Sequence, residues 1–201
     1  MTRLAIIGTA GRKDDGPKMS KDLYHKMYSF AQDWIHMYCG TTPHLVSGGA
    51  AWADHLAVSL YLSGGFEHLT LYLPAYFDVA SAHYREEGKC ARTARTANYY
   101  HRLFSTKMRG NTLRGISKAI HKGARVVVNP NGFQARNLQV GDVDSILAFT
   151  WGKGPQPKAG GTLHTFQNSQ AGLKFHVSLD DLQTINQARW YWLLRGKDDI
   201  H

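Results

Sequence analysis

The sequence predicts a single α/β domain built on a doubly wound, mostly parallel sheet. Short apolar runs of strand length alternate with longer stretches of helical periodicity, the order produced by right-handed crossovers between parallel strands. Glycine-rich turns follow several of the apolar runs. No repeat, linker or low-complexity tract divides the 201 residues, a length that suits one domain.

Taken in order, Arg3 to Gly8 (RLAIIG) reads as a short buried strand that ends at a glycine, and GTAGRKDDGPKM as the loop after it. Ser20 is placed to cap a long helix in which Leu23, Met27, Phe30, Ala31, Trp34, Ile35 and Tyr38 form one apolar stripe, ending at Gly40. His44 to Ser47 is a second strand that runs directly into Gly48-Gly49. Ala50 to Leu62 is helical in pattern and stops at Ser63-Gly64-Gly65, and His68 to Leu73 is a third strand closed by Pro74. Tyr84 to His121 reads as mostly helical and basic, with a break near Gly110-Asn111. Arg125 to Val128 is a short strand before the turn Asn129-Pro130-Asn131-Gly132, and Val143 to Thr150 a buried strand. Thr162 to Gly172 reads as a helix, Leu173 to Leu179 as the last strand and Asp180 to Arg195 as a closing helix, with Ser178 and Asp181 as a capping pair.

Composition narrows the function classes. At 43% hydrophobic and 19% charged residues the chain is in the globular range. No apolar run reaches the ~18–20 residues of a membrane helix. The start, MTRLAIIGTAGRKDD, lacks the apolar core and cleavage site of a leader, so a cytoplasmic protein without a membrane partner is expected. Cys39 and Cys90 form neither a disulfide framework nor a zinc-ligand spacing, and the eleven histidines make no H-E-x-x-H or H-x-H cluster, so no metal and no cofactor is expected.

The charge is unevenly placed. Between Arg85 and Arg125 lie eleven Lys/Arg and two acids, Glu86 and Glu87, so this segment alone carries the chain's net charge of +9. Such a field attracts phosphates, on a nucleotide or along a nucleic-acid backbone; a solvated helix face is the plainer alternative. Tyr99, Tyr100, His101 and Phe104 interleave with the charges, as in base-stacking sites, and buried helix aromatics explain the pattern equally well.

Three strand ends carry glycine: Gly8-Thr9-Ala10-Gly11-Arg12, Ser47-Gly48-Gly49-Ala50, and Gly160-Gly161-Thr162 at the start of a helix. Ligands of open α/β sheets bind beyond the carboxyl ends of the strands, and glycine lets backbone amides approach an anion closely. A phosphate-bearing ligand is therefore expected. None of the loops matches G-x-G-x-x-G or G-x-x-x-x-G-K-[ST], which disfavours an ordinary dinucleotide fold and a P-loop NTPase.

The succession Gly8-Thr9-Ala10-Gly11-Arg12, then Leu45-Val46-Ser47-Gly48-Gly49-Ala50-Ala51-Trp52-Ala53-Asp54, then Leu73-Pro74-Ala75, resembles the SLOG superfamily of Rossmann-like nucleotide-binding domains. That group includes DprA, the LOG phosphoribohydrolases and the YspA-like proteins. The YspA-like branch fits best, with Arg95 and Asn98 standing for its Arg-Asn pair, at wider spacing, and Gly160-Gly161-Thr162 for its late G-G-T; the resemblance runs from about Arg3 to Val177. It implies that Ser47, Gly48, Gly49 and Thr162 bind phosphate, that Gly8, Thr9, Gly160 and Gly161 belong to the ligand site, and that Arg12 and Arg95 neutralise the phosphate. It further implies that Asp54 accepts from a ribose hydroxyl, orients the loop or stabilises the helix dipole, and that Asn98 holds a base edge or caps a turn. Trp52 replaces a small residue of the family and would stack on a base or narrow the pocket. No Glu follows either glycine pair, so the LOG hydrolytic motif is absent.

Three functions follow as expectations. The first is a nucleotide or nucleotide-derived ligand bound for sensing, sequestration or hydrolysis. The second is cleavage of the N-glycosidic bond of a nucleoside monophosphate, with Glu86, Glu87 or Asp54 as the carboxylate. The third is single-stranded nucleic-acid binding by the 85–125 segment. A homo-oligomer remains open. Gly49→Glu and Arg95→Ala are each expected to abolish a ligand response while sparing the fold.

Overall fold

A parallel sheet is covered on both faces, so its strands are apolar throughout instead of alternating. The run SILAFT shows this most fully, being buried at all six positions. The computed structural model describes residues 1–40, 42–157, 159–185 and 194. Its strands are β1 (Arg3–Gly8), β2 (His44–Ser47), β3 (Leu69–Leu73), β4 (Phe77–Asp78), β5 (His83–Tyr84), β6 (Arg125–Val128), β7 (Ser145–Thr150) and β8 (Leu173–Ser178). The helices are α1 (Asp15–Lys18), α2 (Lys21–Tyr38), α3 (His55–Leu62), α4 (Ala91–Met108), α5 (Thr112–His121), α6 (Gly132–Val140), α7 (Gly160–Asn168) and α8 (Leu179–Thr184).

Six strands form one sheet in the order β6-β3-β2-β1-β7-β8, every pair parallel, while β4 and β5 make a separate antiparallel hairpin. This is the doubly wound α/β architecture expected. Alternate residues of each strand serve opposite faces. Leu4, Ile6, Leu45, Leu147 and Phe149 join the apolar stripe of α2 and the buried side of α3 in the larger core. Ala5, Ile7, Val46, Ile146 and Ala148 meet Val140 of α6 and Phe166 of α7 in the smaller one.

The caps are where the sequence puts them. Ser20 Oγ accepts from the Leu23 amide at 3.1 Å, and Ser178 Oγ from the Asp181 amide at 3.3 Å. The basic stretch breaks at Gly110-Asn111 into α4 and α5, with Asn111 capping the second.

Several expectations need correction, among them that the helical stretch read from Tyr84 begins only at Ala91 and the helix read to Gly172 ends at Asn168. The helix read from Ala50 begins only at His55, because Ala51–Asp54 is a turn with Trp52 at φ +62°. The Ala53 amide donates to Thr9 O at 3.3 Å, which ties that turn to the loop after β1. Gly132–Val140 is a helix where only a turn was read, and the hairpin β4–β5 lies in a stretch assigned no strand. α7 starts two residues early, at Gly160. The closing helix spans Leu179–Thr184 and stops at Ile185, whose backbone is extended at ψ 136°, so the helix expected from Asp180 to Arg195 is broken there; the remainder, apart from Leu194, lies outside the described residues.

Gly8, opposite Phe149 in the β1–β7 pairing, has no room for a side chain: a Cβ there would be 2.0 Å from Phe149 O and 2.6 Å from Ala53 Cβ. Gly8→Ala is expected to cost about 3 kcal/mol or more in urea unfolding, since backbone must move to admit the methyl group. Gly65→Ala, with nothing within 4 Å of the added Cβ, should change stability by less than about 0.5 kcal/mol. Equal effects of the two would refute this account of Gly8.

Candidate functional site

The chain winds from β1 through β2 and β3 to β6 on one side of the sheet, then returns to place β7 and β8 on the other side of β1. The strand order thus reverses between β1 and β7, and such a switch leaves a crevice at the carboxyl ends of the two strands. Here it is a cleft of about 550 Å³, lined among others by Gly8, Thr9, Arg12, Arg136, Gly161 and Thr162. A space of about 420 Å³ that shares Thr9 and Thr162 with it extends toward Trp151 and Asp180.

The loop after β1 and the Gly160-Gly161-Thr162 loop meet in this cleft, and Ala50 and Asp54 reach its wall from the third glycine loop and the turn after it. Thr162 Oγ1 donates to Gly8 O at 3.0 Å, joining the start of α7 to the tip of β1. Thr9 Oγ1 accepts from the Gly11 amide at 3.1 Å and donates to Asp15 at 2.6 Å, so its hydroxyl shapes the loop. The residue before α7, Ala159, has no side chain able to cap, and the helix carries no side-chain cap. Its first-turn amides therefore lack the oxygen that usually satisfies them, in a segment that lines the cleft.

The third loop is closed by the protein itself. Ser47 Oγ donates to Asp54 O at 2.8 Å and accepts from the Gly49 amide at 3.0 Å. Gly49 O accepts from Tyr84 OH at 3.0 Å and from His101 Nε2 at 2.9 Å. Over Gly48 lies the guanidinium of Arg136, so near that a Cβ on Gly48 would be 1.3 Å from Nη1. That nitrogen donates to Asp54 Oδ2 at 3.2 Å in a pair whose side chains are 8% and 7% exposed. Backbone amides of Ala50 and Gly8 also favour the charged Asp54 carboxylate. Burial pushes the Asp54 pKa up, and the Arg136 charge and these donors oppose that rise. The carboxyl group at the tips of β1 and β2 is thus the chain's own Asp54.

Several expected site residues are accordingly elsewhere. Ser47, Gly48 and Gly49 hold Asp54, Arg136, Tyr84 and His101, and the cleft is not lined by them. Trp52 is 2% exposed, with its ring 4.3 Å from Phe104 and its indole under Gly11, so it is core and cannot stack on a base. Asn98 Oδ1 accepts from the Tyr84 amide at 3.0 Å and Nδ2 donates to Tyr84 O at 2.9 Å, which fastens β5 to α4. Arg95 Nε donates to Glu86 Oε2 at 3.1 Å on the outer side of α4. Hydrogen bonds from Asn98 and Arg95 hold the Glu86 carboxyl below its usual range, and Glu87 pairs with Arg85 at 3.8 Å. Arg95, Asn98, Glu86 and Glu87 are absent from the cleft wall. Nor is Gly49 replaceable at no cost to the fold: a Cβ there would lie 2.5 Å from Leu73 Cδ2.

Three cleft residues went unread in the sequence. Arg136 is 6% exposed and its Nε has no hydrogen-bond partner among the described residues. Phe133, one turn earlier on α6, has its ring 5.0 Å from the Arg12 guanidinium and 5.7 Å from that of Arg136. Asp15 brings a carboxylate to the rim. The signal available was the isolation of Arg136, the only Lys/Arg between Val126 and Trp151. Among the described residues no group of His, Cys, Asp or Glu is arranged to hold a metal ion, and no helix is long and apolar enough to cross a membrane.

No model of a known protein family matches this chain. The chain is similar to "Uncharacterized protein R261" of Acanthamoeba polyphaga mimivirus, 34% identical over 182 residues that cover 88% of this chain and 96% of that one.

The Asp54–Arg136 pair should behave as a unit. Asp54→Ala and Arg136→Ala are each expected to cost about 3–5 kcal/mol in urea unfolding, because each strands a buried charge. The double variant should cost clearly less than the two added together, and strict additivity would show that the two groups stand alone.

The histidines behind the loop set a pH dependence. Burial lowers His55 to about 3 and His101 to about 4, so both are neutral in the folded state. Below about pH 6.5 the unfolded chain binds protons at these rings that the folded chain refuses, so stability falls as pH falls, by up to about 1.4 kcal/mol per pH unit per ring. The urea midpoint should drop from pH 7 to pH 5, and the His55 and His101 imidazole resonances should not titrate above pH 5. Titration of either near pH 6.5 would contradict the assignment.

Proposed function

The chain belongs to one family with this mimivirus protein, and we propose that it binds a nucleotide or nucleotide-derived small molecule in the cleft between β1 and α7. The phosphate lies at the first turn of α7, on the amides of Gly160, Gly161 and Thr162, with Arg12 and Arg136 as its counter-charges. The observation that carries this reading is the uncapped start of α7 in a cleft whose wall also holds Arg12 and Arg136. Arg12 and Arg136 bring positive charge to the wall beside that helix start, which favours an anion there through charge-assisted hydrogen bonds. At about 550 Å³ the cleft is of small-ligand size, and the Phe133 ring offers a flat apolar surface to a base.

This reading agrees with the likeness to the YspA-like branch of the SLOG domains through the β1 loop and the late G-G-T, and departs from it at Ser47-Gly48-Gly49. Binding for sensing or sequestration is favoured over hydrolysis. Glu86 and Glu87 lie away from the cleft, and Asp54 is engaged by Arg136, which leaves no free carboxylate of the expected set to activate water.

Thermal unfolding with AMP, GMP, CMP, UMP and inorganic phosphate tests the proposal. A ligand at a hundredfold excess over its Kd adds ~2.7 kcal/mol, or roughly 5–10 °C in Tm for a chain of this size. Arg12→Ala and Gly161→Asp should each weaken binding about tenfold or more, the second by setting a carboxylate against the phosphate. No response to any nucleotide, or an unchanged response in both variants, would remove the site. Release of free base would restore the hydrolytic reading.

A further inference from the structure

We infer that the outer face of α4 is a docking surface for single-stranded nucleic acid, separate from the cleft. All eleven Lys/Arg between Arg85 and Arg125 are exposed. Two of them serve the fold: Lys107 Nζ donates to Gly16 O at 2.8 Å and Met19 O at 2.6 Å, and the Lys122 ammonium lies 4.4 Å from the Tyr61 ring centre. Two more, Arg85 and Arg95, pair with the segment's acids, Glu87 and Glu86. The other seven have no carboxylate partner among the described residues.

Their placement is ordered. Arg92, Arg95, Tyr99, Arg102 and Thr106 follow each other at alternating steps of three and four along α4, so they share one stripe of the helix. From Arg92 to Arg102 the stripe is about 15 Å long at ~1.5 Å per residue. Tyr99, at its middle, is 46% exposed, and the Arg102 guanidinium stands 5.7 Å from its ring centre. Beside it runs an open groove of about 800 Å³, lined among others by Arg95, Tyr99, Tyr100, Arg102 and Asn111.

Charge complementarity selects a polyanion, and the ring selects its kind. An exposed tyrosine between arginines offers a stacking face for a base and forked donors for the phosphates on either side. A membrane surface would call for a broad apolar stripe, and on this helix only Leu103 and Tyr99 are exposed large apolar side chains. An acidic peptide would use the cations and leave the ring idle.

Fluorescence anisotropy with a labelled oligothymidylate tests this on the whole protein. If about four phosphates are contacted, affinity should fall roughly fifty-fold between about 50 and 200 mM salt. Tyr99→Ala should weaken binding about tenfold, and Arg92→Gln with Arg102→Gln should lower the salt slope by about 1.4. These side chains are exposed and outside the cleft, so the melting temperature without ligand and its shift with nucleoside monophosphates should stay as in the unmodified chain. Polyglutamate or phosphatidylserine vesicles should compete poorly with the oligonucleotide. A flat salt response, full affinity in Tyr99→Ala, or equal competition by polyglutamate or the vesicles would overturn the proposal, the last two outcomes pointing to an acidic protein or a membrane surface.

Discussion

A buried aspartate–arginine pair governs how the carboxyl end of this sheet is built. Asp54 comes from the turn after β2, and Arg136 from a helix on the far side of β6 in the chain. Their contact draws together the tips of β1 and β2 and the body of α6. Each charge would be costly alone at this depth, and together they tolerate it only with the surrounding amides in place. Gly8 and Gly48 are the residues that let backbone come close enough for this to happen.

The pair also decides which glycine loop faces solvent. With Asp54 filling the space beyond β2, the amides left without a side-chain cap lie one position over, at the start of α7. The same arrangement divides the positive charge of the protein in two. Arg136 and Arg12 stand in the cleft, and the segment-long surplus stands on α4 and α5. Arg12 links the two regions, with its guanidinium 5.3 Å from the Tyr100 ring on α4 and 5.0 Å from the Phe133 ring on α6.

Much of the fold was legible because it rests on local pattern. The strands declare themselves as short apolar runs, and α2 as a stripe with Ser20 before it. α6 was illegible for a matching reason: GFQARNLQV has little amphipathic contrast and is held by Arg136 reaching inward, which a hydrophobicity pattern cannot display. The start of α3 was misplaced since Ala50–Ala53 has good helix formers, while contacts with the β1 loop force Trp52 into a left-handed turn.

The site was half legible. Glycine marks a place where something approaches the backbone closely, and the sequence does not say whether that is a ligand or a side chain from elsewhere in the chain. At Gly160-Gly161 it faces a cleft; at Gly48 it faces Arg136; at Gly49 it faces Leu73 and Tyr84. Arg95, Asn98 and Glu86 were read as ligand contacts because their types suit that work. In the fold they satisfy one another and the hairpin beside them.

The guanidinium that covers Gly48 has a bearing on how distant kin should be recognised. Ser-Gly-Gly followed by an aspartate seven residues past the serine is an incomplete signature here; the arginine 82 residues beyond that aspartate completes it. A chain that kept the glycines and lost the arginine would have a niche between two strands the size of the guanidinium that fills it here.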